Sequence, residues 1–262
     1  MTPFIIWTVQ RTGGTNFATN LIRLGGFPIT DHEPLNIGRS YGRITQDWKD
    51  TRDREQLDKS IGAFLDKGYA IKHCVENVDW PINSSLLQAS LERGFSHLLL
   101  YRESSIDRLL SLHFALETGL WGRKKVSAAR ASMGDAFDTS LHVKGLNIDD
   151  LIDHENHCND LLMRVARQIM DAGAILHAIS FEDIYESDET VCEGKIKRLL
   201  QDFRFPDSGS YRELLSHVRN VGDQGSKDLY SRIDGYEKIH LELSRISSLK
   251  ERLLGEFPDI FI

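Results

Sequence analysis

The feature that most constrains this fold is a strand pattern that runs through a glycine turn into a helix, all within residues 4–24. Residues 4–9 form a short apolar run rich in β-branched side chains, which predicts a buried strand. Apolar residues then recur at helical spacing from Phe17 to Leu24. Between the two patterns lie Gly13 and Gly14, which allow a sharp backbone turn. This order of elements predicts an α/β domain.

The same turn predicts a binding site for an anion. Backbone N–H groups at the start of a helix have no partner within the helix, and the helix dipole adds partial positive charge there. The glycines let an anion approach the backbone, and the hydroxyls of Thr12 and Thr15 are able to cap the helix or bind the same anion. The nucleotide-binding pattern GxxxxGK[ST] is absent, and Arg11 precedes the glycines instead. We therefore predict phosphate or sulfate binding, with an ordinary strand-to-helix turn as the alternative.

Strand and helix patterns alternate along the rest of the chain. Further core strands are predicted at residues 69–75, 97–101 and 175–181, and helices at residues 52–67, 86–91, 105–118, 148–172 and 191–203. We predict one α/β domain over residues 1–262, with helical insertions and a helical C-terminal region. The predicted fold is P-loop-like with three layers, in which helices flank a mostly parallel central sheet. In such sheets ligands bind beyond the carboxyl ends of the strands, where the loop after Val9 and Arg102 both lie.

Four segments with weaker periodicity complete the prediction. Residues 27–36 are predicted to form a short strand that runs into a loop, and residues 38–50 an irregular connection. Residues 122–145 begin with a basic run and are interpreted as a mobile flap. Residues 210–256 are predicted to be helical, with a break at residues 222–226.

Composition excludes several classes of function. The net charge of −7 argues against non-specific nucleic-acid binding, which needs a basic face, so an anion has to be bound by local arginines. The cysteines are widely spaced and form no metal-binding pattern, which is typical of a reducing compartment; they are Cys74, Cys158 and Cys192. No signal peptide is recognisable, and no apolar run approaches the roughly 18 residues of a membrane span. We expect a cytoplasmic protein without a metal cofactor.

Two motifs resemble those of the sulfotransferases that use 3′-phosphoadenosine 5′-phosphosulfate (PAPS), and they occur in the same order along the chain. The loop at residues 10–15 resembles the R-[ST]-G-[ST]-T loop with which that family holds the 5′-phosphosulfate. Residues 100–111 look like the family's 3′-phosphate motif, a strand-end arginine followed by a helical serine, and the run on to Trp121 is similar to the bacterial carbohydrate branch of nodulation-factor and sulfolipid type. Weaker similarities lie at residues 68–72 and 180–184. The sequence departs from the pattern at Gly14, where the family has a hydroxyl residue.

The resemblance implies transfer of a sulfuryl group from PAPS to a hydroxyl of a carbohydrate or glycolipid. Positioning and charge stabilisation do most of the work in such a transfer, and because a sulfuryl group carries less charge than a phosphoryl group, a bridging metal is less necessary. Arg11 would offset the charge that develops on the leaving phosphate, while Arg102 and Ser111 would bind the 3′-phosphate. The loop residues implied in donor binding are Arg11, Thr12, Gly13, Gly14, Thr15 and Asn16.

A general base has to accept the proton of the acceptor hydroxyl. By resemblance to the bacterial carbohydrate branch, Glu33 is the leading candidate, with an exposed loop carboxylate as the alternative. His73 is the second candidate, since animal sulfotransferases place a histidine shortly after a lysine in a similar strand. Here His73 directly follows Lys72, so the two side chains are predicted to face opposite sides of the sheet.

Two other functions remain open at this point. A nucleotide or phosphometabolite kinase with a divergent loop is one, although no lysine follows the glycines and no metal-holding aspartate is evident. A non-catalytic module that keeps the fold and binds a nucleotide or a partner protein is the other, and Gly14 is compatible with it.

Overall fold

The computed structural model of the chain describes residues 2–121, 123–134, 137, 147–205, 210–221, 230, 233 and 235–262. The strands are β1 (Phe4–Thr8), β2 (Ile71–Cys74), β3 (Ser96–Tyr101) and β4 (Leu176–Ser180). The helices of the first half are α1 (Gly14–Leu24), α2 (Gly42–Thr51), α3 (Arg54–Leu65), α4 (Trp80–Glu92), α5 (Ser105–Thr118) and α6 (Arg123–Met133). Those of the second half are α7 (Ile148–Asp171), α8 (Phe181–Tyr185), α9 (Glu189–Asp202), α10 (Ser210–Val221), α11 (Tyr236–Leu243) and α12 (Leu249–Glu256). Short 3₁₀ turns lie at Val75–Asn77 and Pro258–Ile260.

The strands form one parallel sheet in the order β2-β1-β3-β4. In the register of the sheet, Ile6 of β1 lies between Lys72 of β2 and Leu98 of β3. The chain passes from β1 outward to β2 and then crosses to β3 on the other side of β1, so the strand order reverses between β1 and β3. Ligands of open α/β sheets bind in the crevice beyond the carboxyl ends of the strands at such a point. The predicted α/β class with a parallel central sheet between helices is confirmed.

Both faces of the sheet are covered, as expected for parallel strands that are buried throughout. Alternate residues of β1 point to opposite faces, so Ile5 and Trp7 join one apolar cluster while Phe4 and Ile6 join the other. The Trp7 cluster contains residues of α3, α4, α7 and α12. The Phe4 cluster contains residues of α1, α9 and α10.

Two of the weaker predictions are wrong. Residues 27–36 form no strand, because Pro28 lacks an N–H group and Phe27 packs edge-on against the ring of Phe4, at 5.4 Å between ring centroids. Residues 42–51 form α2 instead of an irregular connection. This helix is stabilised by tertiary contacts that a local pattern does not reveal: Thr45 is buried and its hydroxyl donates to the carbonyl oxygen of Leu35 at 2.6 Å.

The remaining elements follow the prediction closely at several points. The long helix predicted at residues 148–172 is α7, and the helix predicted to stop at Gly119 ends there in a left-handed cap. Part of the predicted flap forms α6, whereas residues 135–136, 138–146 and the predicted break at residues 222–226 lie outside the described residues. None of the helices in the described part of the chain is both long and apolar enough to cross a membrane.

Candidate functional site

The loop between β1 and α1 has the geometry of an anion site. Arg11 and Gly13 both adopt left-handed backbone conformations, each with φ of 70°. Helix α1 begins at Gly14 with neither a side-chain cap nor an acidic residue in its first turn. The N–H groups of this turn therefore lack an intrahelical partner, and the positive end of the helix dipole faces the crevice beyond β1. Such an end binds anions.

Both glycines of the loop lie against neighbouring side chains. A Cβ atom at Gly13 would lie 2.7 Å from the ring of Phe181 and 2.8 Å from that of Tyr185, whose hydroxyl donates to the Gly13 carbonyl oxygen at 2.9 Å. A Cβ atom at Gly14 would lie 3.0 Å from Cδ of Lys72 and 3.1 Å from Cδ2 of Leu100. The hydroxyl residue of the resembled family therefore has little room here, since two side chains would have to move apart.

The two threonines of the loop have different positions. Thr12 is buried, and its hydroxyl lies 2.6 Å from that of Thr8 and donates to the carbonyl oxygen of Val9 at 2.9 Å. It therefore holds the loop together from within. Thr15 is exposed, and its hydroxyl accepts a hydrogen bond from Nζ of Lys72 at 3.2 Å. The side chain of Asn16 donates to the carbonyl oxygen of Val218 in α10 at 3.1 Å, which leaves its backbone N–H as the group near the crevice.

Arg11 and Ser111 are brought into direct contact. Nε and a terminal nitrogen of Arg11 donate to the Ser111 hydroxyl at 2.8 and 2.7 Å, although the residues are 100 positions apart. The guanidinium also lies 5.8 Å from the ring centroid of Trp121, an aromatic residue that is 40% exposed. Burial lowers the pKa of Arg11, and the positive charge of the neighbouring Arg102 lowers it further. Two arginines that repel each other in a partly buried site favour an anion between or beside them.

Arg102 follows the carboxyl end of β3, as predicted, and is almost fully buried. Its side chain is 8% exposed and packs over the ring of Phe181 at 4.4 Å. One terminal nitrogen donates to the carbonyl oxygen of Arg11 at 3.4 Å, which joins the two arginines. Carboxylates of Asp107 and Glu182 lie at 3.6 and 3.8 Å, while the buried Nε has no hydrogen-bond partner among the described residues. Arg102 is thus held at the crevice with part of its donor capacity unused.

Glu33 and Lys72 form an ion pair beside the loop, where Lys72 also contacts Thr15. Nζ of Lys72 lies 2.6 Å from Oε1 of Glu33, and their side chains are 6% and 17% exposed. Burial raises the pKa of Glu33, but the charge of Lys72 together with the hydrogen bonds from Lys72, Cys74 and Asn36 outweighs burial, so the pKa lies below its usual range. Burial opposes the charge of Lys72 in the same way, but neighbouring negative groups raise its pKa. Both groups are therefore ionised near neutral pH.

The Glu33 carboxylate accepts hydrogen bonds at both oxygens. Oε1 accepts from Lys72 and from the thiol of Cys74 at 3.3 Å, and Oε2 accepts from the amides of Asn36 and Asn77 at 2.7 and 2.9 Å. The backbone of Glu33 is left-handed, with φ of 57°. A non-glycine residue in this region costs of order 1–3 kcal/mol and is frequent at functional sites. The surroundings of Glu33 thus fix both its backbone and its carboxylate.

Left-handed backbone distinguishes this site from the rest of the described chain. Four non-glycine residues there have positive φ: Arg11, Glu33, Arg52 and Arg204. Arg52 is the C-cap of α2 and Arg204 follows α9, positions at which helices commonly end with a left-handed residue. Arg11 and Glu33 end no helix, and both are candidate functional residues. Their strain therefore points to a function rather than to chain termination.

His73 lies outside this cluster. It is fully buried on the opposite face of β2 from Lys72, where Nε2 lies 2.6 Å from Oδ1 of Asn83 and its ring packs edge-on against Trp7. Burial lowers its pKa to about 4, although the Asn83 contact opposes the shift. A neutral histidine packed in the core has no access to the crevice, so the structure provides no basis for it as a base.

Sequence reasoning did not assign three residues that the structure adds to the site. Lys72 enters the sequence prediction only as part of a strand, yet a lysine within a fully buried strand is unusual and indicates a charged partner. Asn77 contacts Glu33 from a 3₁₀ turn and carries no sequence signal of its own. Tyr185 supports Gly13 from α8. Within the described residues, no group of three or more His, Cys, Asp or Glu side chains is placed to hold a metal ion.

Comparison of this chain with models of protein families, with curated proteins and with solved structures finds no match.

Proposed function

We propose that the chain is a PAPS-dependent sulfotransferase that acts on a hydroxyl of a carbohydrate or glycolipid acceptor. The observation that carries the proposal is the convergence of Arg11, Arg102 and the uncapped start of α1 at the point where the strand order reverses. The ion pair of Glu33 and Lys72 lies directly beside it and reaches it through Thr15. An anion site next to an ionised carboxylate is the arrangement that sulfuryl transfer to a hydroxyl requires.

In the proposed reaction the acceptor oxygen attacks sulfur, and the bond between sulfur and the phosphate oxygen breaks. The N–H groups of residues 13–16 would hold the 5′-phosphate, and Arg11 would offset the charge left on that phosphate. Arg102 and Ser111 would bind the 3′-phosphate. The proton of the acceptor would pass to Glu33. Because the carboxylate already accepts from four donors, one of these bonds would have to break when the acceptor hydroxyl binds. Lys72 would keep the carboxylate ionised beforehand.

Titration calorimetry with adenosine 3′,5′-bisphosphate, beside ATP with Mg²⁺, tests the donor site. We expect the bisphosphate to bind and ATP not to bind, because Arg102 and Ser111 would recognise the 3′-phosphate. Binding of ATP with Mg²⁺ in place of the bisphosphate would replace the proposal with a kinase. Equal binding of nucleotides with and without a 3′-phosphate would contradict the roles of Arg102 and Ser111.

Transfer from ³⁵S-labelled PAPS to a panel of oligosaccharides and glycolipids tests the reaction. Glu33→Gln is expected to remove at least 99% of the turnover while it changes bisphosphate affinity less than about threefold, since loss of a general base typically costs 10²–10⁴-fold. Asp31→Asn is the matched control, because Asp31 lies in the same segment and accepts from the backbone of Ser40 at the surface. Near-normal turnover of Glu33→Gln would show that Glu33 is not the base.

The four donors on Glu33 favour one other function, a nucleotide-binding module without turnover. A carboxylate that already accepts from Lys72, Cys74, Asn36 and Asn77 is well placed to hold its neighbours together. For such a module the bisphosphate would bind more weakly to Glu33→Gln than to the unmodified protein, because the neighbours of Glu33 lose a partner, and no labelled acceptor would form with any member of the panel.

A further inference from the structure

We call the loop at residues 10–15, between β1 and α1, the anion loop. A chain of amide hydrogen bonds connects this loop to Glu33. Nε2 of Gln10 donates to Oδ1 of Asn77 at 2.9 Å, and Nδ2 of the same Asn77 donates to Oε2 of Glu33 at 2.9 Å. Gln10 directly precedes Arg11 in the loop, and Glu33 is the candidate base. One side chain, Asn77, therefore touches both halves of the candidate site.

The loop end of this connection is firmly anchored. The backbone N–H of Gln10 donates to Oε1 of Glu76 at 2.6 Å, and its carbonyl oxygen accepts from Arg108 at 3.2 Å. Arg108 is buried and forms an ion pair with the buried Glu155 of α7. Because both backbone groups of Gln10 are held in this way, its side chain presents its amide to Asn77 from a fixed position.

The other end is anchored by the turn that follows β2. Asn77 closes the 3₁₀ turn at Val75–Asn77, in which Glu76 is the residue that accepts from Gln10. The loop and the turn are thus joined by a backbone-to-side-chain bond and by a bond between two side chains. A shift of the loop would therefore be transmitted to Asn77.

Asn36 provides an internal comparison. Its amide donates to the same oxygen of Glu33 at 2.7 Å, but it lies only three residues away along the chain, within the same segment. Its contact with Glu33 is local, whereas that of Asn77 spans 44 residues. Two amides therefore donate to one carboxylate oxygen, and of these two the amide of Asn77 also accepts from Gln10 in the anion loop.

We propose that Asn77 is a positioning residue that couples anion binding at the loop to the proton affinity of Glu33. An amide both donates and accepts, so it transmits the position of one neighbour to the other without adding a charge. A donor to an ionised carboxylate favours the ionised form, and its alignment sets the size of that effect. A shift that a bound anion imposes on the loop moves Gln10, and the bond from Gln10 to Asn77 passes this shift on to the Asn77 donor on Glu33. As far as it concerns turnover, this inference rests on the proposed sulfotransferase function.

The first test measures the pKa of Glu33 by ¹³C NMR of the carboxyl groups in unliganded protein, with Glu33→Gln to identify the signal. Asn77→Ala and Asn36→Ala should each raise this pKa by about one unit, a tenfold change in proton affinity, since each removes one donor to Oε2. Gln10→Ala should also raise it, by about half a unit, although Gln10 does not touch Glu33. Gln46→Ala, which removes a surface amide bonded to Asp50, should leave it unchanged.

The second test measures bisphosphate affinity by calorimetry. Asn77→Ala and Gln10→Ala should each weaken it about tenfold, and the double variant should be no weaker than either single one, because both remove the same connection. Asn36→Ala should bind within about twofold of the unmodified protein. Circular dichroism of each variant identifies any that fails to fold. If Asn77→Ala is one of them, Asn77→Ser replaces it, because the shorter serine side chain cannot reach both Gln10 and Glu33.

The two tests separate this inference from the proposed function. If the unmodified protein does not bind the bisphosphate, the proposed function fails, and the pKa of Glu33 in Gln10→Ala still decides the inference. An unchanged pKa in Gln10→Ala would overturn the coupling. So would equal losses of bisphosphate affinity in Asn36→Ala and Asn77→Ala, because the local amide would then matter as much as the connecting one.

Discussion

The two sides of strand β2 solve the problem of a buried titratable side chain in opposite ways. Lys72 and His73 are consecutive and are 6% and 0% exposed. Lys72 faces α1 and stays charged, because Glu33 compensates it and its pKa is raised despite burial. His73 faces the apolar core, where burial lowers its pKa to about 4 and an amide is its partner. Charge is retained only on the side that borders the anion loop.

The neutral side extends to a second histidine. His97 of β3 is fully buried, accepts from Nε1 of Trp7 at 3.1 Å, and has a pKa that burial lowers to about 4. Trp7 therefore lies between two neutral imidazoles, with His73 on its other side. The comparison shows that one strand can carry a charged site and a neutral polar core back to back, since alternate residues never share a face.

The largest expected effect is the loss of stability when acid protonates the two histidines on the neutral side of the sheet. Between pH 6.5 and 4 the unfolded chain binds protons at His73 and His97 that the folded chain does not, so the free energy of unfolding falls as the pH is lowered through this window. Each histidine contributes up to roughly 3 kcal/mol by pH 4. Urea unfolding at several pH values measures this. His157→Gln, at an exposed position, should retain the slope, and a flat profile over this range would contradict the burial of both imidazoles as neutral groups.

On the charged side, Arg11→Ala should have the largest effect on activity. It removes the guanidinium that bonds Ser111 and faces the leaving phosphate of the proposed reaction, so we expect turnover to fall by about 10³-fold or more and bisphosphate affinity to fall with it. Arg52→Ala is the matched control, as Arg52 has the same left-handed backbone at the surface. Full turnover in Arg11→Ala would remove Arg11 from the mechanism.

Removal of one partner of the ion pair should destabilise the fold by about 3 kcal/mol. In Lys72→Met the Glu33 carboxylate keeps its amide donors but loses its countercharge, whereas Lys72→Met combined with Glu33→Gln removes both charges and should recover most of the loss. Thermal and urea unfolding measure the difference. Lys67→Met serves as the control, because it makes the same substitution at an exposed lysine, which contacts Tyr41. Equal stability of the single and the double variant would mean that the pair is not coupled.

The smallest effect is expected at Arg102. Its guanidinium already has Asp107 and Glu182 nearby, so Arg102→Ala should weaken bisphosphate binding only about 10-fold to 100-fold and leave the affinity for adenosine 5′-monophosphate nearly unchanged. Calorimetry with both nucleotides measures this selectivity. Equal losses for both would place Arg102 at a structural position rather than at the 3′-phosphate.

The fold was largely predictable because its central elements carry strong local patterns. The run from Phe4 to Leu24 contains a strand, a turn and a helix in immediate succession, and each strand of the parallel sheet lies in a short segment rich in apolar residues. Helix α2 was missed because its stability depends on contacts made elsewhere, such as that of Thr45 with Leu35. Local pattern and tertiary packing agree in the first case and act separately in the second.

The candidate site was predictable from the sequence only for residues whose type and position next to a strand indicate a role. Arg11 and Arg102 could be placed near each other because both follow strands that end at the same edge of the sheet. The contact of Asn77 with Glu33 could not, since neither residue lies in a periodic pattern and 44 positions separate them. The role of Lys72 was within reach of sequence reasoning, because a lysine in a buried strand demands a partner.

The left-handed backbone at Arg11 and Glu33 has a consequence for laboratory evolution of this protein. Glycine adopts this conformation without steric cost, and asparagine tolerates it well, so either substitution would relieve strain at the same time as it deletes a functional group. A library selected for heat resistance alone would therefore accumulate glycine or asparagine at position 11, whereas at position 33 the relief of strain is offset because Lys72 loses its charge partner. Heat-resistant clones changed at position 11 would be expected to lose activity, and selection would have to reward both properties to retain Arg11.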